Sequence, residues 1–501
     1  MSGVSDVAHQ YLCIYGHFYQ PPREDPFTAQ IPPEPGAAPF QNFNEKITAE
    51  CYGPNAELGN FERISFDLGP TLASWLAEQH PAVLRRIIAS DQARLRATGA
   101  GAALAQAYNH TILPLATPRD KLTQIRWGLQ DFEQRFGRPA QGMWLPETAA
   151  DLATLAALHA CGVTYTVLAP WQAAEPIDPT EPYRVRLPNG EMMTVFFYAG
   201  PLSGSISFEE DITNNADHFA TSYLPHHINA EKRARGDDQL IIVATDGELY
   251  GHHKRWRDQF LSRLTQTSAP AAGFEVVTLD AYLRDHPPTR EVRLREPSAW
   301  SCAHGVARWS AGCGCTPGDS SWKPALRAAF DGLGARLDEV FARETAPYLS
   351  DPWAARDAYL SLREGWLAPD AFWARYGARG KAPARPELET RAVRLLEAQF
   401  IGQWMYTSCG FFFEDLDRIE PRNDIAFARR AISLIWEATG VDLQADFLRV
   451  VALARSARSG PTGADIYAAL PRLAGDALPP LSAPAAGSAA TPAEPSSGSA
   501  A

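Results

Sequence analysis

The feature that most constrains this chain is a repeating texture in its first half, where short apolar runs alternate with stretches of helical periodicity. The runs are Tyr11–Tyr15 (YLCIY), Gly142–Leu145 (GMWL), Tyr165–Leu168 (YTVL), Thr194–Tyr198 (TVFFY) and Leu240–Ala244 (LIIVA). Helical stretches such as Leu122–Phe136 lie between them. Apolar runs that do not alternate with polar residues fit strands buried on both faces, as in parallel sheets built from βαβ units. The first run is read as stopping at Gly16. Polar residues sit just after three of these runs: His17, Glu147 and Asp246. In a parallel barrel the strand C-termini and the loops after them build the active site. An open doubly wound sheet would place them similarly.

Past about residue 290 the pattern changes to helix. Leu326, Phe330, Leu333, Leu337 and Phe341 recur at helical spacing, as do Ile425, Ala428, Ile432, Ile435 and Trp436. For the second set, Asn423 or Asp424 is the expected N-cap and Gly440 the expected stop. Pro352–Trp366 reads as a helix with proline in its first turn. The fold class expected is therefore α/β: a distorted (β/α)7 barrel over 1–290, then a helical domain over 291–473 that completes the cleft. Residues 474–501 are almost all Ala, Pro, Ser and Gly. Such a tail cannot bury enough apolar surface to offset its ordering entropy and is expected to be disordered.

Charge narrows the function classes. The 501 residues hold 46 basic and 58 acidic side chains, a net charge of −12. A nucleic-acid partner would call for a basic face, and an anionic membrane surface is disfavoured on the same ground. A neutral substrate fits best. No run of about 18 apolar residues suggests a membrane span. The N-terminus has no Lys or Arg before Arg23 and no secretory apolar core, so no signal peptide is expected. Seven scattered cysteines without an export signal predict reduced thiols in a cytoplasm.

Three segments carry chemistry. In Gly16–Pro22 (GHFYQPP), His17 and Gln20 follow a buried strand; the bland alternative is a histidine satisfying a loop backbone. In Met143–Thr148 (MWLPET), a carboxylate sits beside Trp144, whose indole could stack on a flat apolar face. Its bland alternative is a carboxylate facing the dipole of the helix that follows. In Thr245–His253 (TDGELYGHH), two carboxylates and two imidazoles follow the most apolar run of the chain. Burying that many ionisable groups without partners would be costly.

Together these segments resemble glycoside hydrolase family 57, retaining enzymes active on α-glucans. The family's first region, His-x-His-Gln-Pro, reads His17-Phe18-Tyr19-Gln20-Pro21, with Tyr19 in place of the second histidine. Trp144-Leu145-Pro146-Glu147 resembles the nucleophile region, and Asp246-Gly247-Glu248-Leu249-Tyr250-Gly251-His252 the acid/base region, with Tyr for Phe. Tyr108-Asn109-His110 followed by Leu113-Pro114-Leu115 resembles a further region between them. The second half, through Trp300–Gly305, Cys313–Cys315 and Ser408–Phe413, resembles the helical domain of uncharacterised function found in a bacterial branch of that family.

The resemblance implies Glu147 as nucleophile and Asp246 as acid/base, with an α-glucan or oligosaccharide as substrate and no cofactor or metal. Asp246 must hold a proton, which burial and a nearby ionised Glu147 would favour. His17, Gln20, His110, Glu248 and His252 are expected to bind sugar hydroxyls, Glu248 alternatively to orient His252. Trp144, Tyr250, Trp300 and Trp309 are expected as stacking platforms, against core packing. Ser408–Asp415 (SCGFFFED) is expected to lie against the barrel mouth.

Two other readings stand beside this one. Asp246, His252 and His17 could form the metal triad of a carbohydrate deacetylase or mannosidase-like enzyme, which would leave Glu147 idle. A decayed, non-catalytic glucan-binding protein is the other, and Tyr19 supports it. Cys302, His304, Cys313 and Cys315 could bind zinc, but their one-residue spacings are tighter than the usual two to four. They are read as a reduced loop at the active-site rim, with zinc or a disulfide as alternatives.

Overall fold

The computed structural model describes residues 8–470. The tail expected to be disordered lies outside them. Among the described residues there are ten strands: β1 Gln10–Phe18, β2 Ser65–Leu68, β3 Ala103–Gln106, β4 Met143–Trp144, β5 Tyr165–Leu168, β6 Tyr183–Arg186, β7 Met192–Phe197, β8 Gln239–Asp246, β9 Phe274–Val276 and β10 Arg290–Glu291. One parallel sheet runs β4-β3-β2-β1-β8. A parallel bridge from Gly142 to Tyr165 joins it to β5, which pairs in parallel with β7. Ala199 N–H, just past β7, donates to Ile242 O on β8 at 2.8 Å. The seven parallel strands β1–β5, β7 and β8 thus curl into a distorted barrel, with sparser backbone pairing on either side of the β5–β7 pair. The short β9 pairs with the first residues of β1, and β6 and β10 extend the sheet outside β7.

Strand side chains alternate between two cores, as a period of two requires. Leu12, Ile14, Phe66, Ala103, Ala105, Val195, Phe197, Ile241 and Val243 pack outward against the helices. Cys13, Tyr15, Leu104, Trp144, Val167, Phe196, Leu240, Ile242 and Ala244 fill the barrel interior. Continuing the interior rows past the last apolar residue brings His17 after Tyr15, Gln106 after Leu104 and Asp246 after Ala244. Register places His17 opposite Asp67 on one side and opposite Asp246 on the other. β1 does not stop at Gly16 as expected. Gly16 stays in the ladder, paired with Phe66 and Thr245, and the strand delivers His17 to the barrel mouth.

The helices begin and end where capping chemistry dictates. Pro118–Phe136 starts with Thr117 accepting from Asp120 N–H and stops at left-handed Gly137. Pro352–Arg363 has proline at its start and Asp351 as cap. Ile419–Thr439 ends at Gly440, φ 71°, as expected. Its start lies earlier than expected: Asn423 and Asp424 are inside the helix, and Arg418 occupies the N-cap position. The helical half shares a core with the barrel, since Tyr108, Ile112, Trp127 and Ala149 cluster with Phe330, Leu333, Phe400 and Phe411. Arg356, fully buried, ties the two halves by donating to Asp120 and Thr123, each at 2.7 Å. Among the described residues no helix is long and apolar enough to cross a membrane.

Candidate active site

Glu147 sits in the turn after β4 with φ 59°, and Thr148 follows at φ 49°. Two successive non-glycine residues in the left-handed region are strained and need outside support. Gln172 supplies it, accepting from Thr148 Oγ1 at 2.8 Å and donating Nε2–H to Thr148 O at 2.9 Å. Trp300 N–H adds a bond to Glu147 O at 3.1 Å. The turn aims the carboxylate into the cleft, where Trp300 Nε1–H and Ser301 Oγ–H both donate to Oε2, at 2.9 and 2.7 Å. Burial raises the Glu147 pKa, and Asp246 adds to the rise; Ser301, Trp300 and His17 pull it down. Glu147 does not face a helix dipole, because the next helix starts at Leu152 with Asp151 as its own cap.

Asp246 ends β8 and is exposed to the cleft, so the burial expected for it is not there. The chain then turns at Gly247–Leu249, which ends the strand alternation and sends Glu248 inward. Glu248 accepts from Tyr52 O–H at 2.6 Å and Tyr19 N–H at 3.1 Å. Burial lifts its pKa to about 7; Asp246 adds to this, while Tyr52 and His17 oppose it. It does not orient His252, whose Nδ1 lies 2.6 Å from Glu50 Oε2.

His17 Nδ1 bonds Asp67 Oδ2 at 2.9 Å, and its Nε2 lies 3.1 Å from His110 Nε2. Burial opposes charge on His17, but Asp67, Asp246 and Glu248 overcome it and raise its pKa to about 9. Burial, with the His17 charge, pushes His110 well below the usual range. His17 therefore carries both ring protons near neutrality and donates to Asp67 and to His110. Neutral His110 keeps its proton on Nδ1 and donates to Ser408 Oγ at 2.6 Å. Tyr15 O–H donates to the other Asp67 oxygen at 2.8 Å. Burial raises the Asp67 pKa against the pull of His17.

The cleft has two lobes that meet at the carboxylates. One, about 750 Å³, is lined by His17, Tyr19, Gln20, His110, Glu248 and His252 from the barrel and by Cys409, Phe412 and Phe413 from the helical half. The other, about 480 Å³, is lined by Trp171, Tyr198, Phe208, Trp300 and Ser301. Glu147, Asp246, His253 and Phe412 border both.

The profile of glycosyl hydrolase family 57 matches residues 15–295, more than half of the chain. The chain belongs to glycosyl hydrolase family 57. A domain of unknown function, DUF3536, matches residues 319–486. No curated protein matches. Among solved structures the chain is similar to an exo-type maltose-forming amylase from Pyrococcus sp. ST04, at 15% identity over 85% of this chain and 80% of that one, TM-score 0.69. It is also similar to a branching enzyme from Pyrococcus horikoshii (17% identity, 88% and 93% covered, TM-score 0.54). A third is a 4-α-glucanotransferase from Thermococcus litoralis (17% identity, 84% and 60% covered, TM-score 0.51). At these identities the likeness establishes the fold.

Within this family 57 barrel, Glu147, Asp246, His17, Gln20, His110, Glu248, His252 and Trp300 all reach the cleft. Three stacking platforms do not. Trp144 is fully buried in the floor, stacked on Tyr15 and His17 at ring separations of 4.7 and 5.2 Å. Strand alternation aims it inside the barrel, beneath the cleft. Tyr250 is buried behind the turn at Gly247–Leu249, and Trp309 is buried in the helical core. Trp300 serves Glu147 as a hydrogen-bond donor. Tyr19 stacks on His110, centroids 3.8 Å apart, and keeps an aromatic ring where the family pattern has histidine.

The metal-triad reading finds no gathered ligand set for an ion: His17 Nδ1 bonds Asp67 and its Nε2 lies 3.1 Å from His110, while His252 Nδ1 turns to Glu50. Among the described residues the group near enough to hold one is Cys302, His304, Cys313 and Cys315. The one-residue spacings therefore do not keep these four side chains apart. Gly305 and Gly312, at φ 72° and 76°, fold the segment back on itself. Asp67, Tyr52, Glu50, Gln172, Ser301 and Ser408 were not anticipated. Asp67 lies in a four-residue strand, SFDL, half of whose residues are polar, so no apolar run marks it.

Proposed function

We propose that the chain is a retaining enzyme acting on α-glucan by double displacement, with Glu147 as nucleophile and Asp246 as acid/base. The observation that carries this reading is the pair of carboxylates at the junction of the two lobes. Both donors to Glu147 take Oε2, which leaves Oε1 for an anomeric carbon. Asp246 stands exposed on the same cleft, where it can exchange protons.

In the first step Glu147 attacks the anomeric carbon while Asp246 protonates the glycosidic oxygen; the bond to the leaving sugar breaks and a glycosyl ester forms. In the second, Asp246 takes a proton from water or from a sugar hydroxyl, whose oxygen displaces Glu147. Water gives hydrolysis, and a sugar gives transfer or branching. Glu147 must be ionised to attack. Trp300, Ser301 and the His17 cation oppose the effect of its burial.

An α-glucan suits a two-lobed, partly aromatic cleft. Phe412 and Phe413 line one lobe and the exposed Trp171 and Phe208 the other, apolar faces of the kind that pack on sugar rings. The amylase, branching enzyme and glucanotransferase that share the fold support the same substrate class. In this reading residues 1–290 are the catalytic barrel and 291–473 the helical part that completes the cleft. The unlinked cysteines support a cytoplasmic setting. Incubation with maltooligosaccharides, amylose and glycogen, followed by product profiling, tests the proposal. Shorter products mean hydrolysis, longer ones transfer, new α-1,6 linkages branching; unchanged substrate in every case would refute it.

A further inference from the structure

We propose that Cys302, His304, Cys313 and Cys315 bind one structural zinc ion, which pins the loop holding Trp300 and Ser301 against Glu147. Four side chains from two short stretches, eleven residues apart at Cys302 and Cys313, present ligand atoms that all lie within 4.8 Å of one another. Sγ of Cys302 and Sγ of Cys313 are 3.6 Å apart, and His304 Nδ1 is 3.3 Å from Cys315 Sγ. Around a tetrahedral zinc, with Zn–S near 2.3 Å and Zn–N near 2.0–2.1 Å, the edges are about 3.8 Å between sulfurs and about 3.6 Å between sulfur and nitrogen. These two separations lie a few tenths of an ångström inside those edges, and the other pairs lie within 4.8 Å.

The surroundings point the same way independently. A zinc with three thiolates and a neutral imidazole carries one net negative charge, and buried charges need partners. Two buried cations face the cluster. Arg308 donates to Cys315 O at 2.6 Å and lies over the Phe412 ring at 4.3 Å. Lys323 donates to Thr316 Oγ1 at 3.2 Å, within electrostatic range of Cys302, Cys313 and the carboxylate of Glu414. Neither has a carboxylate at ion-pair distance among the described residues. Ala303 N–H donates to Cys315 Sγ at 3.4 Å, the kind of outer bond that orients a thiolate ligand. Four closed ligands leave no open position for water or substrate, which makes the site structural and not catalytic. Because Cys302 directly follows Trp300 and Ser301, fixing it fixes the two donors to Glu147.

The test uses full-length protein from zinc-replete cells, freed of loosely held metal and analysed by plasma mass spectrometry. About one zinc per chain is expected. The content should fall at least about tenfold in Cys313→Ser and in His304→Ala and stay unchanged in Cys161→Ser, a cysteine outside the cluster. If the first two variants do not fold, the wild type still decides: cobalt(II) exchanged for zinc should bring the visible absorption of a tetrahedral thiolate site. A wild type with little zinc and no such absorption, a Cys302–Cys313 disulfide in the purified protein, or unchanged zinc in both variants would overturn the proposal.

Discussion

Nε2 of His17 lies 3.1 Å from Nε2 of His110, and their surroundings push the two imidazoles in opposite directions, the His17 pKa up and the His110 pKa down. The asymmetry comes from what stands behind each ring. Asp67 backs His17 at 2.9 Å, whereas Ser408 backs His110. The His17 pKa is raised from 6.5 to about 9, so its contribution to stability is complete below pH 6.5 and is lost as pH rises through about 9. Thermal melts from pH 6 to 10 should show this loss. Asp67→Asn removes the main raising partner and should flatten the dependence while lowering stability at pH 7. An identical slope in the variant would contradict the assignment.

Glu147→Gln should leave the fold intact and reduce turnover by about 10³-fold or more, since an amide cannot form the glycosyl ester. Reducing-sugar release together with a melting curve checks both halves of that statement.

Asp246→Asn should cost glucans with poor leaving groups about 10²–10⁴-fold and activated aryl glycosides much less, because an acidic phenol departs without a proton. Equal losses on both substrates would remove Asp246 from the acid role.

Trp300→Phe keeps an aromatic ring, though a smaller one, and removes the N–H that donates to Glu147 Oε2 at 2.9 Å. A hydrogen bond to a charged group contributes about 1.5–3 kcal/mol, so activity should fall roughly 10–100-fold. That bond holds the Glu147 pKa down, so the acid limb of the pH–rate profile should move to higher pH. A limb that stays in place would mean that Trp300 only packs.

A chain ending at residue 290 should be inactive or insoluble. It would lose Trp300 and Ser301 from Glu147, Ser408 from His110 and the shared core around Trp127 and Phe400. Full activity in that shortened chain would refute the idea that the helical half completes the site.

What could be read in advance follows from how each signal is encoded. Leu240–Ala244 is apolar throughout and announces β8, and Glu147 and Asp246 stand at the ends of such runs. β2 and β3, only four residues each, could not be seen: SFDL contains a charge and ALAQ favours helix. Asp67 was lost with β2. Trp144 and Tyr250 were misassigned because a motif gives the neighbours of a catalytic residue but not the face each occupies. Ser301 lies 154 residues from the carboxylate it bonds, a distance no local pattern bridges. The cysteine–histidine cluster was discounted on spacing, which ignores the reversal made possible by Gly305 and Gly312.

The most direct test of the central claim is to trap the intermediate. A 5-fluoroglycosyl fluoride of α configuration should form a long-lived ester, and peptide mass mapping should find the sugar on Glu147. Label on Asp246 or Glu248, or a turned-over reagent that never leaves an ester on the protein, would contradict double displacement through Glu147.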